Sequence, residues 1–114
     1  MDKRIQIYLS DILQSIIEIE LATEARSKEY RVFLDDFVYR KFIERNIEII
    51  GEAVNRILKI VPDIAISSAR QIVDTRNYVI HAYDSIRPEL LWAIVVNHLP
   101  KLKSEVETIL ASFR

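Results

Sequence analysis

The chain of 114 residues contains no cysteine, which excludes a disulfide framework and any thiolate metal site and fits a reducing interior. It holds one glycine and three prolines, too few turn-formers to punctuate a succession of short strands. No strand-like alternation bounded by turn signals occurs either, so the periodic segments read as helices. The longest unbroken apolar run, Leu90 to Val96, falls far short of the roughly 20 residues that a membrane-crossing helix needs. Met1, Asp2, Lys3 and Arg4 precede an apolar stretch, but Gln6, Ser10 and Asp11 interrupt it, against a secretory signal. A cytoplasmic protein is expected, with no membrane partner. Charge of one sign is lacking too: 16 basic residues face 17 acidic ones, so no global field attracts nucleic acid and any RNA contact must come from a local cluster.

What is present describes an ordinary globular chain, half hydrophobic and 29% charged, of a length suited to one domain spanning residues 1–114. The expected fold is all-α, an antiparallel bundle of four to five helices. A first helix over about Lys3 to Leu21 carries Ile5, Tyr8, Leu9, Ile12, Ile16 and Ile19 at three- and four-residue spacing, a single apolar stripe that needs a partner. A short second helix is predicted after Ser27, with the Ser27 hydroxyl as cap and Tyr30, Phe33 and Leu34 on the core. The third, about Asp36 to Ile60, turns Phe42, Ile43, Ile47, Ile50, Val54, Ile57 and Leu58 inward and ends before Pro62.

Ser67 or Ser68 can cap a fourth helix running through Ile72, Val73 and Arg76 towards Tyr83. Pro88 suits the first turn of a fifth helix containing Leu91, Ile94, Val95, Leu99, Leu102, Val106 and Ile109, with a kink expected at Pro100. Gly51, the one glycine, stands inside the third helix, where it costs roughly 1 kcal/mol relative to alanine. Close approach of a neighbouring helix is the expected compensation.

The segment Arg76, Asn77, Tyr78, Val79, Ile80, His81, Ala82, Tyr83 places an arginine five positions before a histidine and a tyrosine two beyond it. Composition alone favours packing roles, with Arg76 paired to a carboxylate, His81 partly buried and Tyr83 filling a core edge. The chemistry of the pair points elsewhere. A permanently charged fork that binds phosphate bidentately stands near the one side chain that titrates close to neutral pH. In RNA the 2′-hydroxyl is a built-in nucleophile, so a general base and a cation on the phosphate suffice without metal or cofactor, giving a cyclic phosphate and a 5′-hydroxyl.

Five residues on an ideal helix separate Arg76 and His81 by roughly 140°. Either the helix is distorted near His81, or a two-fold homodimer builds one cleft from both copies, which also supplies a second histidine as acid; the dimer is preferred. The histidines His81 and His98 are far apart in sequence and no cluster has ligand spacing, so no metal is expected. His98, beside apolar residues on the fifth helix, reads as structural. Arg40, Lys41, Arg45, Arg56 and Arg70 could form a basic approach to the cleft, although such charges usually coat a solvated face.

Residues Arg76 to Tyr83 resemble the Arg-x4-6-His motif of HEPN ribonucleases, in the Arg-x4-His-x-Tyr form of the HepT-like toxins. Glu44 to Ala53 is similar to a second signature of that family, and Trp92 to Leu102 to its terminal helix, so the resemblance covers essentially the whole chain. It implies a dimeric helical bundle in which Arg76 and His81 cleave RNA without metal as the toxin of a toxin–antitoxin pair, with Asn77 in support. It implies as partner a minimal nucleotidyltransferase antitoxin of the MntA type, which silences the toxin by transferring AMP to Tyr83. The alternative it leaves is a non-catalytic, nucleotide-binding adaptor subunit of such a transferase.

Overall fold

The computed structural model describes residues 2–81 and 87–113, and of residues 76–81 the backbone only. Every regular element among the described residues is helical: α1 (Lys3–Glu24), α2 (Tyr30–Asp35), α3 (Phe37–Ile60), α4 (Ala69–His81), α5 (Pro88–Ala93), a π-helical turn (Ile94–His98) and α6 (Leu99–Ala111). The all-α expectation holds. Within this range no helix is long and apolar enough to cross a membrane.

α1 starts where Asp2 accepts the Arg4 N–H at 2.8 Å, and it runs one turn beyond the predicted end because Thr23 is drawn into the core. The Thr23 hydroxyl meets the Tyr39 hydroxyl at 2.6 Å, which ties the end of α1 to the start of α3. At the other end the Arg56 guanidinium of α3 lies 5.9 Å from the Tyr8 ring of α1. The two long helices are therefore antiparallel, and Ile5, Leu9, Ile12, Ile16 and Ile19 close against Ile43, Ile50, Val54 and Ile57, all at most 1% exposed. α3 is the spine, with α1 on one side and α4 on the other, while α6 covers α1.

Gly51 is buried inside α3, and no described glycine has positive φ. No unusual backbone conformation therefore calls for glycine there.

Two local expectations fail. Ser27 does not cap α2: Glu29 takes that position without a side-chain bond, and the helix is held by Phe33, whose ring lies 5.1 Å from Trp92 and 5.4 Å from Tyr39. Leu34 and Phe42 are exposed rather than inward, because Phe33, Tyr39 and Ile43 already fill the facing volume. α3 begins where expected, with Asp36 as its N-cap, accepting the Tyr39 N–H at 2.9 Å and paired with Arg26 at 3.2 Å. That amide, and next the guanidinium, hold its carboxyl below the usual carboxylate range.

Just ahead of Pro100, where a kink is expected, the chain forms a π turn. Proline has no N–H to return to the carbonyl four residues back. The chain accommodates this by slipping register ahead of it, so that the Leu99 N–H bonds the carbonyl of Ile94, five residues back.

Candidate active site

α4 carries the Arg76–His81 segment, and its position is fixed at its start. Eight residues, 61–68, join it to α3, with Ile66 buried among the core side chains. Ser67 donates from its backbone N–H to Glu105 Oε2 at 2.9 Å and from its hydroxyl to Glu105 Oε1 at 3.3 Å, which latches the connection to α6. Ser67 is thus engaged away from α4. The Ser68 carbonyl accepts the Ile72 N–H at 2.9 Å and stands at the helix's N-terminal boundary. Ala69 and Val73 bury one face, while Arg70, Gln71 and Asp74 lie exposed on the other.

The backbone stays α-helical through His81, so Arg76, Asn77 and His81 all stand on one helix. Their side chains fall outside the described residues, as does Tyr83 altogether. On this backbone positions 76 and 81 are set apart by roughly 140° around the axis. A distortion ahead of His81, one of the two expected remedies, does not occur in the described backbone.

Beside the first half of α4 an open cleft of about 320 Å³ lies between α3, α4 and the α5–π–α6 helix. Ile47 and Ile50 of α3 and Ile72 of α4 form apolar wall, completed by Leu90, Ala93, Ile94, Leu99 and Leu102. Ser68, Gln71, Thr75 and His98 bring the polar atoms. Among the described residues that line it, none carries a carboxylate, an ammonium or a guanidinium. Thr75, which directly precedes Arg76, also returns its hydroxyl to the Gln71 carbonyl at 2.9 Å.

His98, expected to be structural, lines this cleft. It is exposed, occupies the last position of the π turn, and has φ −107°, outside the helical range of its neighbours. The sequence signal for the cleft was the four-residue spacing of Leu90, Ile94 and His98. The spacing of Ser68, Gln71, Ile72 and Thr75 on α4 carries the same signal. Neither set points to a common space until the π turn is known.

The proposed basic approach is largely neutralised on its own helix. Lys41 pairs with Glu44 at 3.6 Å, Arg45 with Glu48 at 3.3 Å and Arg56 with Glu52 at 3.1 Å, all at helical spacing. Arg40 lies 5.9 Å from the Phe37 ring and buries its Nε without a hydrogen-bond partner. Within the second signature, Asn46 is buried and donates to the Phe42 carbonyl at 3.0 Å, so much of that signature serves the spine. Among the described residues no three histidine, aspartate or glutamate side chains gather as a metal cluster would.

The family described as "Ribonuclease HepT-like" matches residues 12–109 of the chain. A Methanocaldococcus jannaschii protein named "Putative RNase MJ1380" is 34% identical over 114 residues, covering 96% of this chain and 100% of that protein. From the same organism, "Gamma-glutamylcyclotransferase and putative RNase MJ0434" is 32% identical over 96% of this chain, which spans 49% of that longer protein. The Thermococcus cleftensis "Probable ribonuclease HepT" is 33% identical, over 90% of this chain and 92% of its own length. No solved structure matches significantly.

Proposed function

The chain belongs to the HepT-like ribonuclease family, and from that premise we propose that it is a metal-independent endoribonuclease acting as a homodimer. The observation that carries the mechanism is the unbroken α4, which holds Arg76 and His81 on one rigid backbone, five positions apart.

His81 acts as general base on a ribose 2′-hydroxyl. The freed oxygen attacks the adjacent phosphorus, the bond from phosphorus to the 5′-oxygen breaks, and that oxygen takes a proton from a second imidazole. Arg76 stabilises the charge gathering on the non-bridging oxygens. Asn77, one residue on, supports substrate or imidazole orientation. The products are a 2′,3′-cyclic phosphate and a 5′-hydroxyl.

An angle of roughly 140° on a straight helix keeps one copy's pair from sharing a face, which supports a site assembled across a two-fold axis. In that arrangement Arg76 of one protomer works with His81 of its partner, and the second histidine supplies the acid.

We further assign this protein the role of toxin, held in check by an MntA-type nucleotidyltransferase antitoxin. The Tyr83 phenolate attacks the α-phosphorus of ATP, pyrophosphate leaves, and AMP remains on the oxygen, adding bulk and negative charge two residues from His81. Both oppose entry of RNA.

Purified protein incubated with RNA, with and without chelator, tests the reading. Cleavage insensitive to chelator, ending in cyclic phosphate and abolished in His81→Ala and Arg76→Ala, is expected. Equal cleavage by His81→Ala removes the histidine from the mechanism, and RNA or nucleotide binding without cleavage makes the chain an adaptor.

A further inference from the structure

The described wall of the cleft beside α4 is apolar with a few neutral polar groups, and we infer that it is a nucleobase-binding subsite that seats the base next to the scissile linkage, with His98, Gln71 and Thr75 reading its edge. The inference rests on the ribonuclease reading for its biological meaning, while the binding itself can be measured without any cleavage.

Size sets the first limit. At about 320 Å³ the cleft lies at the lower end of the range of roughly 300–1,000 Å³ found for small-ligand sites. It takes one flat ring system and part of a sugar. Its lining is apolar from Ile50, Ile72 and Ile94, with hydroxyl, amide and imidazole groups at Thr75, Gln71 and His98. That combination suits a planar heterocycle, whose faces are apolar and whose edge carries donors and acceptors.

Charge sets the second. Among the described residues lining the cleft none but His98 belongs to a charge-bearing type, so this part of the wall offers no fixed counter-charge to a phosphate, a carboxylate or an ammonium. Yet Thr75, one of those residues, is bonded in sequence to Arg76. A described wall without fixed charge that ends one residue before an arginine in the sequence suits the two parts of a nucleotide, the uncharged base for the wall and the anionic phosphate for the arginine.

The backbone supplies the third argument. Pro100 requires only that one N–H be missing, but the chain meets that requirement with a full π turn over Ile94–His98, and two of its residues line the cleft. An uninterrupted α-helix would turn His98 to a different angle about the axis, because the wider turn alters the register of everything that follows it. His98 lines the cleft after this slip. His98 is thus assigned as a positioning and specificity residue, distinct from the base His81.

The four nucleoside monophosphates AMP, GMP, CMP and UMP serve as probes, titrated to millimolar concentration into methyl-labelled His81→Ala protein and followed by NMR. Shifts are expected at the methyls of Ile50, Ile72, Ile94 and Leu90, unequal among the four bases, with Ile5 and Ile12 of α1 unmoved. His98→Ala and Thr75→Val should each weaken the preferred nucleotide by about three- to tenfold, the loss of one hydrogen bond. Ile72→Phe should fill the cleft and remove the shifts. If that variant does not fold, the two polar variants decide the matter.

In the cleaving protein His98→Ala should raise KM and flatten base preference, leaving kcat near wild type. The inference is overturned if no nucleotide shifts the cleft methyls, if ribose 5-phosphate shifts them as strongly as the nucleotides do, or if the methyls respond only to protein concentration. That last result would seat a second copy there. Nucleotide binding by a protein that leaves RNA intact would contradict the ribonuclease reading alone, and RNA cleavage without cleft binding would contradict this one alone.

Discussion

Replacing Glu105 by alanine should loosen the helix that carries the candidate catalytic pair without touching that pair. Glu105 receives both the backbone N–H and the hydroxyl of Ser67, at 2.9 and 3.3 Å, and so clamps the connection ahead of α4 to α6. A buried hydrogen bond to a charged group contributes about 1.5–3 kcal/mol, but Ser67 is exposed and Glu105 half-buried, so water replaces much of what is lost. The two bonds together should then be worth about 1 kcal/mol. With an unfolding entropy of about 2.1 cal/mol/K per residue, a chain of 114 residues loses about 4 °C in Tm for each kcal/mol. Calorimetry should show that drop, and hydrogen exchange should show faster opening of amides 69–75 with α1 unchanged. Glu105→Gln, which keeps one acceptor oxygen, should fall between. A Tm unchanged to within about 1 °C, together with unaltered exchange in α4, would refute the latch.

Further outcomes follow from the packing. Gly51→Ala gains about 1 kcal/mol of helix propensity but adds a methyl inside a buried interface, costing about 1–3 kcal/mol, so denaturant titration should show net destabilisation. A stabilised variant would contradict close approach. Phe33→Ala removes the ring that joins α2 to Trp92 and Tyr39 and should cost about 3–5 kcal/mol, a large share of the roughly 6–17 kcal/mol expected for 114 residues. A loss below about 1 kcal/mol would mean that α2 is not anchored there. The Asp36 carboxyl is held low in the folded chain, so its contribution is complete at neutral pH and disappears as pH falls below the ordinary value of 3.8 and through the folded one. Asp36→Asn should therefore be less stable than the parent at pH 7 and lose less than the parent between pH 5 and pH 3; parallel curves would contradict the assignment.

Much of the helical plan can be read directly from spacing. The stripe from Ile5 to Ile19 and the inward set on α3 are dictated by the 3.6-residue period, and Pro62 and Pro88 mark boundaries that any helix must respect. Caps were harder to read, because serines and carboxylates compete for them: Ser67 bonds Glu105, a residue 38 positions away, and no local rule foresees that. Leu34 and Phe42 mislead for a related reason. Apolar character says that a residue can be buried, while only the neighbours decide whether space remains.

The site divides in the same way. The arginine–histidine spacing is local and so legible in the chain, whereas the cleft depends on three elements meeting and on a register slip ahead of Pro100. That slip turns a histidine read as structural into a lining residue. Neutralisation of Lys41, Arg45 and Arg56 by carboxylates three or four residues away was available from spacing and lowers the weight of charge counting.

Mixing Arg76→Ala protein with His81→Ala protein, under conditions that let subunits exchange, measures whether one catalytic site draws on two copies. With random pairing, half the dimers are mixed and each holds one Arg76–His81 pair drawn from both copies, with water in place of the missing second imidazole as acid, so RNA cleavage should rise above that of either parent, to at most about a quarter of the wild-type rate. A mixture no more active than its separate components, with exchange verified, would contradict a site shared across the two-fold axis.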